Sequence, residues 1–360
     1  MADAYGMCDA TGAESLAAPL VVGRLTLTNR AFLAPLSGIT DVPFRRLARG
    51  FGAGLVVSEM VASGELAKGN DEARLRAMRD GEGMHAVQLA GRDPAWMAEA
   101  TRRLVEGGVD LVDINFGCPA KKVVGGLSGS ALMREPDLAV SLVEAVIGAA
   151  GQIPVTVKMR LGWDEQSLTA PEIARRAVAA GAAMVTVHGR TRAQFYEGQA
   201  DWHAIRRVRE AVPVPLVANG DLVDPAQASS MLAASGADAV MIGRGAQGRP
   251  WLPAMIGGAV DAAALAAVDL GDLVSGHHAA MLEHYGVPAG IRHARKHLGW
   301  YLDRLAFVDP SPGLAGDRAA LMTGTDAGIL ARTLRRLFAG TSAYDVEPFF
   351  HRPATRSEAA

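Results

Sequence analysis

Leu111-Val112-Asp113-Ile114-Asn115-Phe116-Gly117-Cys118-Pro119 is a short apolar strand that runs into polar residues, a glycine and a thiol held against proline. Groups in a loop at the end of a buried strand are accessible and yet held by a rigid scaffold. On packing behaviour alone a cysteine is a small buried hydrophobe. Its company in the rest of the chain assigns Cys118 to chemistry instead.

Similar apolar runs occur at Ala31-Phe32-Leu33-Ala34-Pro35, Leu55-Val56-Val57, Ala86-Val87-Gln88-Leu89, Val155-Thr156-Val157-Lys158, Met184-Val185-Thr186-Val187, Leu216-Val217-Ala218 and Ala239-Val240-Met241-Ile242. Amphipathic stretches of helical period separate them, and Asp93-Pro94 and Asp224-Pro225 each place a capping acid before a proline at the first helical position. Eight strand–helix units over roughly 250 residues predict a parallel, closed (β/α)8 TIM barrel. An open doubly wound sheet is the structural alternative, and no Gly-x-Gly-x-x-Gly stands between a strand and a helix to support it.

Around that barrel, residues 1–18 read as a flexible tail that includes Cys8, and Pro19 to Thr28 as a hairpin-like lead-in. The catalytic barrel is expected over 19–256, a smaller C-terminal helical domain over 257–347, and a disordered tail over 348–360. Breaks in the helical domain are expected at Gly286-Val287-Pro288 and Pro310-Ser311-Pro312-Gly313. The interval between the strand ends Asn115 and Lys158 is the longest, and Phe116 to Met133 is expected to be mobile over the barrel mouth.

With 49% apolar residues the chain can bury a large core. No signal core and no bilayer-length apolar run is present, so a cytoplasmic protein with no membrane partner is expected. The two cysteines stand without clustered histidines, so neither a disulfide nor a zinc site is expected and the metal expectation is none. A net charge of −2 argues against a wholly basic nucleic-acid coat but leaves room for a local basic patch.

A barrel of this kind builds its site at the C-terminal ends of its strands. Those ends carry Gln88, Asn115, Lys158, His188 and the turn Asn219-Gly220-Asp221. Gly220 and the run Gly243-Arg244-Gly245 follow strands seven and eight, where glycines admit an anion to backbone N–H groups and Arg244 adds charge-assisted bonds. Facing Lys158 and Gln88, they suggest a planar cofactor with a phosphate tail, a description that flavin mononucleotide (FMN) meets.

At this point the motifs match a family. Ala34-Pro35-Leu36-Ser37-Gly38-Ile39-Thr40-Asp41, Val87 to Gly91, Asp113 to Lys122, Val187 to Arg192, Ala218 to Asp221 and Ile242 to Trp251 together resemble the tRNA-dihydrouridine synthases, most closely the bacterial B-type branch. The similarity returns in Ile291 to Leu302. The block Asn115-Phe116-Gly117-Cys118-Pro119-Ala120-Lys121-Lys122 is the specific portion. The resemblance implies FMN-dependent reduction of the C5–C6 bond of particular uridines in tRNA, with NADPH (or NADH) as reductant. It implies Cys118 as proton donor, and Ala34, Pro35, Leu36, Gln88, Lys158, His188, Asn219, Gly220, Asp221, Gly243 and Arg244 as flavin contacts. Asn115 and Arg190 are implied as substrate-side groups. The chain departs from the pattern at Leu36, where methionine is common, and at Gly125-Gly126, which replace more polar residues.

Grip on an RNA backbone would come from Lys121 and Lys122, from Arg190 and Arg192, and from the helix bearing Arg292, Arg295 and Lys296. On that helix Ile291, Leu298, Leu302 and Leu305 define the opposite, apolar face. tRNA is the expected partner, with no obligate protein partner, so a monomer suffices. Two other readings remain open from the sequence. One is an FMN barrel acting on a free dihydropyrimidine- or dihydroorotate-like molecule; the other is a non-catalytic RNA-binding or regulatory protein.

Overall fold

The computed structural model describes residues 15–309 and 313–351; Cys8, most of the two expected tails, the break Pro310-Ser311-Pro312 and the side chain of Lys122 lie outside the described residues. An antiparallel hairpin, β1 (Leu20–Val22) with β2 (Leu25–Leu27), opens the described chain. Eight strands then close on themselves: β3 (Ala31–Leu33), β4 (Leu55–Ala62), β5 (Ala86–Ala90), β6 (Leu111–Phe116), β7 (Val155–Arg160), β8 (Met184–His188), β9 (Leu216–Asn219) and β10 (Ala239–Ile242). Their order is β10-β3-β4-β5-β6-β7-β8-β9, every pairing is parallel, and the fold is the expected TIM barrel.

Side chains alternate in and out along each strand, so one parity fills the barrel and the other meets the helices. Phe32, Leu55, Val57, Ala86, Leu111, Met184, Val217, Ala239 and Met241 form the inner cluster, and Leu20, Val22 and Leu27 of the hairpin pack onto it. The lead-in is therefore a plug: each such buried side chain contributes about 1.5–3 kcal/mol, and none requires a polar partner. Continuing the same parity upward gives Gln88, Asp113, Asn115, Thr156, Lys158, Arg160, Thr186, His188 and Asn219, so the barrel is apolar at one end and polar at the other.

The helix Pro94–Glu106 begins as expected, with Asp93 accepting from the N–H groups of Ala95 and Trp96. Asp224 caps a 3-10 turn, Pro225–Gln227, which leads into the helix Ala228–Ser235. The segment after β6, expected to be mobile over the mouth, carries two short elements. It forms a short helix, Lys121–Gly125, and a 3-10 turn, Gly129–Arg134, in which Gly129 to Met133 are buried. Its small and apolar residues, Ser130-Ala131-Leu132-Met133, reach the outer core; loop length alone did not show this.

Beyond the barrel the helices Leu270–Tyr285, Val287–Val308, Gly313–Thr323 and Ala327–Phe338 enclose a separate apolar cluster that starts at Trp251 and includes Ile291, Leu298, Leu302 and Leu305. Gly286, at φ 76°, makes the corner between the first two. Helix Leu270–Tyr285 lies on the barrel helix Val42–Phe51. A buried ion pair ties the far end: Arg249 Nε donates to Glu347 Oε2 at 2.8 Å, a second bond joins the same two side chains, and Trp251 Nε1 donates to Oε2 at 3.0 Å. Among the described residues no helix is long and apolar enough to cross a membrane.

Removing one member of a buried pair leaves the other charge uncompensated, at a cost of about 3–5 kcal/mol. Glu347 is 0% exposed and Arg249 4%. Glu347→Ala is expected to lower the urea midpoint sharply, and Arg249→Met with Glu347→Leu to recover most of the loss. Equal midpoints for Glu347→Ala and wild type would remove the pair from the stability of the seam.

Candidate active site

The polar end of the barrel opens into a cavity of about 690 Å³, a size typical of cofactor and small-molecule sites. Ala34, Pro35, Leu36 and Met60 give it an apolar wall, and Gln88, Asn115, Lys158, His188 and Asn219 a polar one. Gly220, Asp221, Gly243, Arg244 and Gly245 close one end, and Gly117, Cys118, Pro119, Arg160 and Tyr196 stand at another side. Register produces the polar wall: Gln88 pairs with Asp113, Asn115 with Lys158, Arg160 with His188, and His188 with Asn219 on neighbouring strands.

Asp113 sets the direction of a hydrogen-bond relay. Its Oδ1 accepts from Thr156 Oγ1 at 2.6 Å and its Oδ2 from Gln88 Nε2 at 2.7 Å. An ionised carboxylate can only accept, so the Gln88 amide must point its nitrogen inward and its oxygen onward. Gln88 Oε1 then accepts from Asn115 Nδ2 at 2.7 Å, and Asn115 Oδ1 accepts from the backbone N–H groups of Gly117 at 3.0 Å and Cys118 at 2.9 Å. Burial raises the Asp113 pKa to about 6, against the hydrogen bonds from Thr156 and Gln88 and the charge of Lys158.

The backbone of Cys118 is fixed from the other side as well. Its carbonyl accepts from Ser130 Oγ at 2.9 Å and Ser130 N at 3.1 Å, while Arg160 Nε donates to Gly117 O at 2.9 Å. Gly129, at φ 60°, passes so close that a Cβ there would meet Cys118 O at 2.8 Å. Burial pushes the thiol pKa up, against a backbone hydrogen bond at Ala120 and the charges of Arg160 and Lys158. Burial therefore favours the thiol form of Cys118, on a backbone held from both sides.

Burial, helped by the Arg160 charge, lowers Lys158 to about 8, against the pull of Asp113 and Cys118, and its Nζ donates to Asn219 Oδ1 at 3.0 Å. His188 is driven neutral by burial and by the cations Lys158, Arg160, Arg190 and Arg244. At Gly220, φ 120°, a Cβ would lie 2.7 Å from Ala200 Cβ and 2.9 Å from His188 Cδ2, so this turn admits glycine alone. The chemistry of the donor set fits a flavin with a phosphate tail: an apolar wall for a ring face, amides and a cation for its edge, and glycines with Arg244 for an anion.

Several sequence-based roles need revision. Arg190 is 1% exposed and grips Asp221 through two bonds of 2.8 and 2.6 Å, with further bonds to Glu197 O and Gly198 O, so it braces the loop after β8 rather than facing a substrate. Asp221 correspondingly engages its carboxylate with Arg190 and Arg244. Asn115 lines the cavity but uses its carbonyl to hold the Cys118 loop. Arg295 donates to Gly324 O at 3.3 Å within the helical domain. Lys121 and Arg292 are exposed; Arg192 stacks on the Trp163 ring at 4.8 Å. Lys296 reaches the mouth, with its Nζ 3.0 Å from where a Cβ on Gly38 would stand.

Sequence reading passed over Arg160, Thr156 and Tyr196 and gave Asp113 no separate role. The strand parity shared with Lys158 could have found Arg160 and Thr156. Nothing in the pattern marks Tyr196, which Arg160 and Arg244 approach at 5.4 and 5.1 Å from the ring centre.

The family described as Dihydrouridine synthase (Dus) matches residues 32–310. A probable tRNA-dihydrouridine synthase of Rhizobium leguminosarum bv. phaseoli is 55% identical over 318 residues, covering 88% of this chain and 98% of the relative. One from Rhodobacter capsulatus is 51% identical, over 89% and 98% of the two chains. The tRNA-dihydrouridine synthase B of Pseudomonas aeruginosa is 42% identical over 88% and 95%. Among solved structures, the 6-hydroxypseudooxynicotine amine oxidase of Pseudomonas geniculata matches with TM-score 0.54 at 15% identity, over 67% of this chain and 49% of the other. Histamine dehydrogenase from a Rhizobium species gives 0.53 at 15%, over 74% and 51%. This chain spans about half of each of those two proteins, and they share its fold. The family match over most of the barrel and helical domain, with relatives at up to 55% identity, places it: this chain belongs to the dihydrouridine synthase family.

Proposed function

We propose that this chain reduces the C5–C6 double bond of specific uridines in tRNA to 5,6-dihydrouridine, with FMN as cofactor and NADPH as reductant. The observation that carries the proposal is the Cys118 thiol, its backbone held at the rim of a cavity whose donor set suits a flavin, in a chain of this family. When bound, the reduced flavin supplies hydride to C6 of the uracil. Ala34, Pro35, Leu36, Gln88, Lys158, His188, Asn219, Gly220, Asp221, Gly243 and Arg244 are the proposed flavin contacts. Lys158 provides a cation at the ring edge, and Gly220, Gly243 and Arg244 hold the phosphate. Cys118 gives its Sγ proton to C5, where negative charge develops, and regains one from water. Arg160, Asn115 and Ser130 keep the thiol in place while it does so.

The target base of a folded RNA must leave its stack to enter the cavity. Lys121, Lys122, Arg192, Arg292 and Lys296 are the proposed backbone grips, and the helices over 257–347 the proposed RNA-binding domain. Lys296 beside Gly38 supports that arrangement, because it joins the basic helix to the mouth.

Three outcomes test this reading. Mapping dihydrouridine in RNA from a deletion strain should show specific sites restored by the wild type and not by Cys118→Ala; restoration by both would exclude the thiol as the acid. In single turnover the rate should fall as pH rises through the thiol's range, above its ordinary value of about 8.5. That limb should persist in Lys158→Arg, and its disappearance there would assign it to the lysine. Asp113→Asn, which can present N–H where the carboxylate only accepted, should slow dihydrouridine formation at least about tenfold and abolish any fall in rate below pH 6. Unchanged rate and acid limb would confine Asp113 to packing.

A further inference from the structure

Away from the cavity, Asp41, His277 and His297 bring one ligand atom each to within 4.8 Å of one another. They come from three elements of the seam: Asp41 caps the barrel helix Val42–Phe51, His277 lies on Leu270–Tyr285, and His297 lies on Val287–Val308. None of the three lines the cavity. All are buried, at 2%, 2% and 1% exposure.

A buried imidazole nitrogen left without a partner costs about 1–3 kcal/mol. Among the described residues, His277 Nε2 and both ring nitrogens of His297 have no hydrogen-bond partner. Burial keeps both rings neutral, so each carries a lone pair. His277 Nδ1 is held by Tyr301 Oη at 3.1 Å, which fixes the ring and leaves Nε2 as its unpartnered nitrogen. Asp41 accepts from Phe44 N at 3.1 Å and from Tyr285 Oη at 3.1 Å. For His277, a ligating group oriented by a partner on its other ring atom is the usual outer arrangement of a metal centre, while each Asp41 oxygen, already accepting one hydrogen bond, keeps a further lone pair.

We propose that Asp41, His277 and His297 form a structural site for a divalent transition metal ion, with zinc favoured by the two-imidazole, one-carboxylate donor set. Two imidazoles bound at about 2 Å and a tetrahedral angle stand about 5 Å apart, centre to centre. The His277 and His297 rings stand 4.8 Å apart at 68°. The carboxylates of Asp41 and nearby Glu59 supply negative charge against the ion, opposed by the nearby cations Arg45 and Lys296. Bound there, the ion braces the barrel against the C-terminal helices. His297 adjoins Lys296 in the chain, whose ammonium stands beside Gly38 at the mouth. The separation of Asp41 from the two histidines along the chain hid the cluster from spacing rules.

The test is elemental analysis of the intact protein purified without chelator and desalted, followed by cobalt uptake after chelator treatment. The expected result is about one zinc per chain, visible bands of tetrahedral cobalt on substitution, and a Tm lowered by chelator and restored by zinc. The double variant His277→Gln, His297→Gln should lose the metal while retaining bound flavin. Wild-type protein that holds no stoichiometric metal, takes up neither zinc nor cobalt and keeps its Tm in chelator would overturn the proposal, whether or not the variant folds. Metal retained in the double variant would overturn it as well.

Discussion

Inside the barrel, one carboxylate that can only accept hydrogen bonds decides which way two amides point. Asp113 takes the nitrogen of Gln88, Gln88 then presents oxygen to Asn115, and Asn115 presents oxygen to the N–H groups of Gly117 and Cys118. A neutral residue at the head of this chain would leave both amide orientations nearly equivalent. The charge is costly to bury, as its raised pKa records. What it secures is a single arrangement: a fixed donor–acceptor pattern on the polar wall and a fixed backbone under the thiol. The three groups reach each other because a parallel register sets Gln88 beside Asp113, while period-two alternation points Asp113 and Asn115 to the same interior.

That same alternation explains what was legible in the chain. The eight apolar runs gave the barrel because a parallel strand buried on both faces is apolar almost throughout, and the exceptions, Gln88, Asn115, Lys158 and His188, marked the mouth. Gly220 and Gly243 were legible for a similar reason, since each follows a strand end, and both line the cavity. Arg190 and Asp221 misled because sequence places them at the mouth without saying that they face each other. A cation and an anion on neighbouring loops neutralise one another in a low-dielectric rim, and only the three-dimensional spacing of 2.6 Å reveals it. In the segment from Gly129 to Met133 the spacing hid a different fact: Gly129 and Ser130 lie against the Cys118 carbonyl.

The seam between barrel and helices draws on contacts that no local pattern encodes. Glu347 returns from the end of the described chain to Arg249 and Trp251, both just past the last barrel strand. Phe51 meets the same Trp251 edge-on at 6.0 Å, so apolar packing and a buried ion pair converge on one anchor. At the other side Tyr285 reaches Asp41. Two separated ties restrict rotation of one body on the other in a way that a single patch of equal area would not.

This rigidity bears on how a macromolecule could present one base to the cavity. A small substrate can diffuse and reorient within a site of this volume, and the walls alone would position it. A base extruded from a folded RNA remains tethered to its backbone, so its position in the cavity is set jointly by the wall and by wherever the backbone is held. If the basic helix could swing, a bound backbone would carry the base with it, and the base would lose its position against the Cys118 thiol. Placing Lys296 beside Gly38 and holding the Cys118 backbone through Asn115, Ser130 and Arg160 then serve a single requirement, met by elements that lie far apart in the chain.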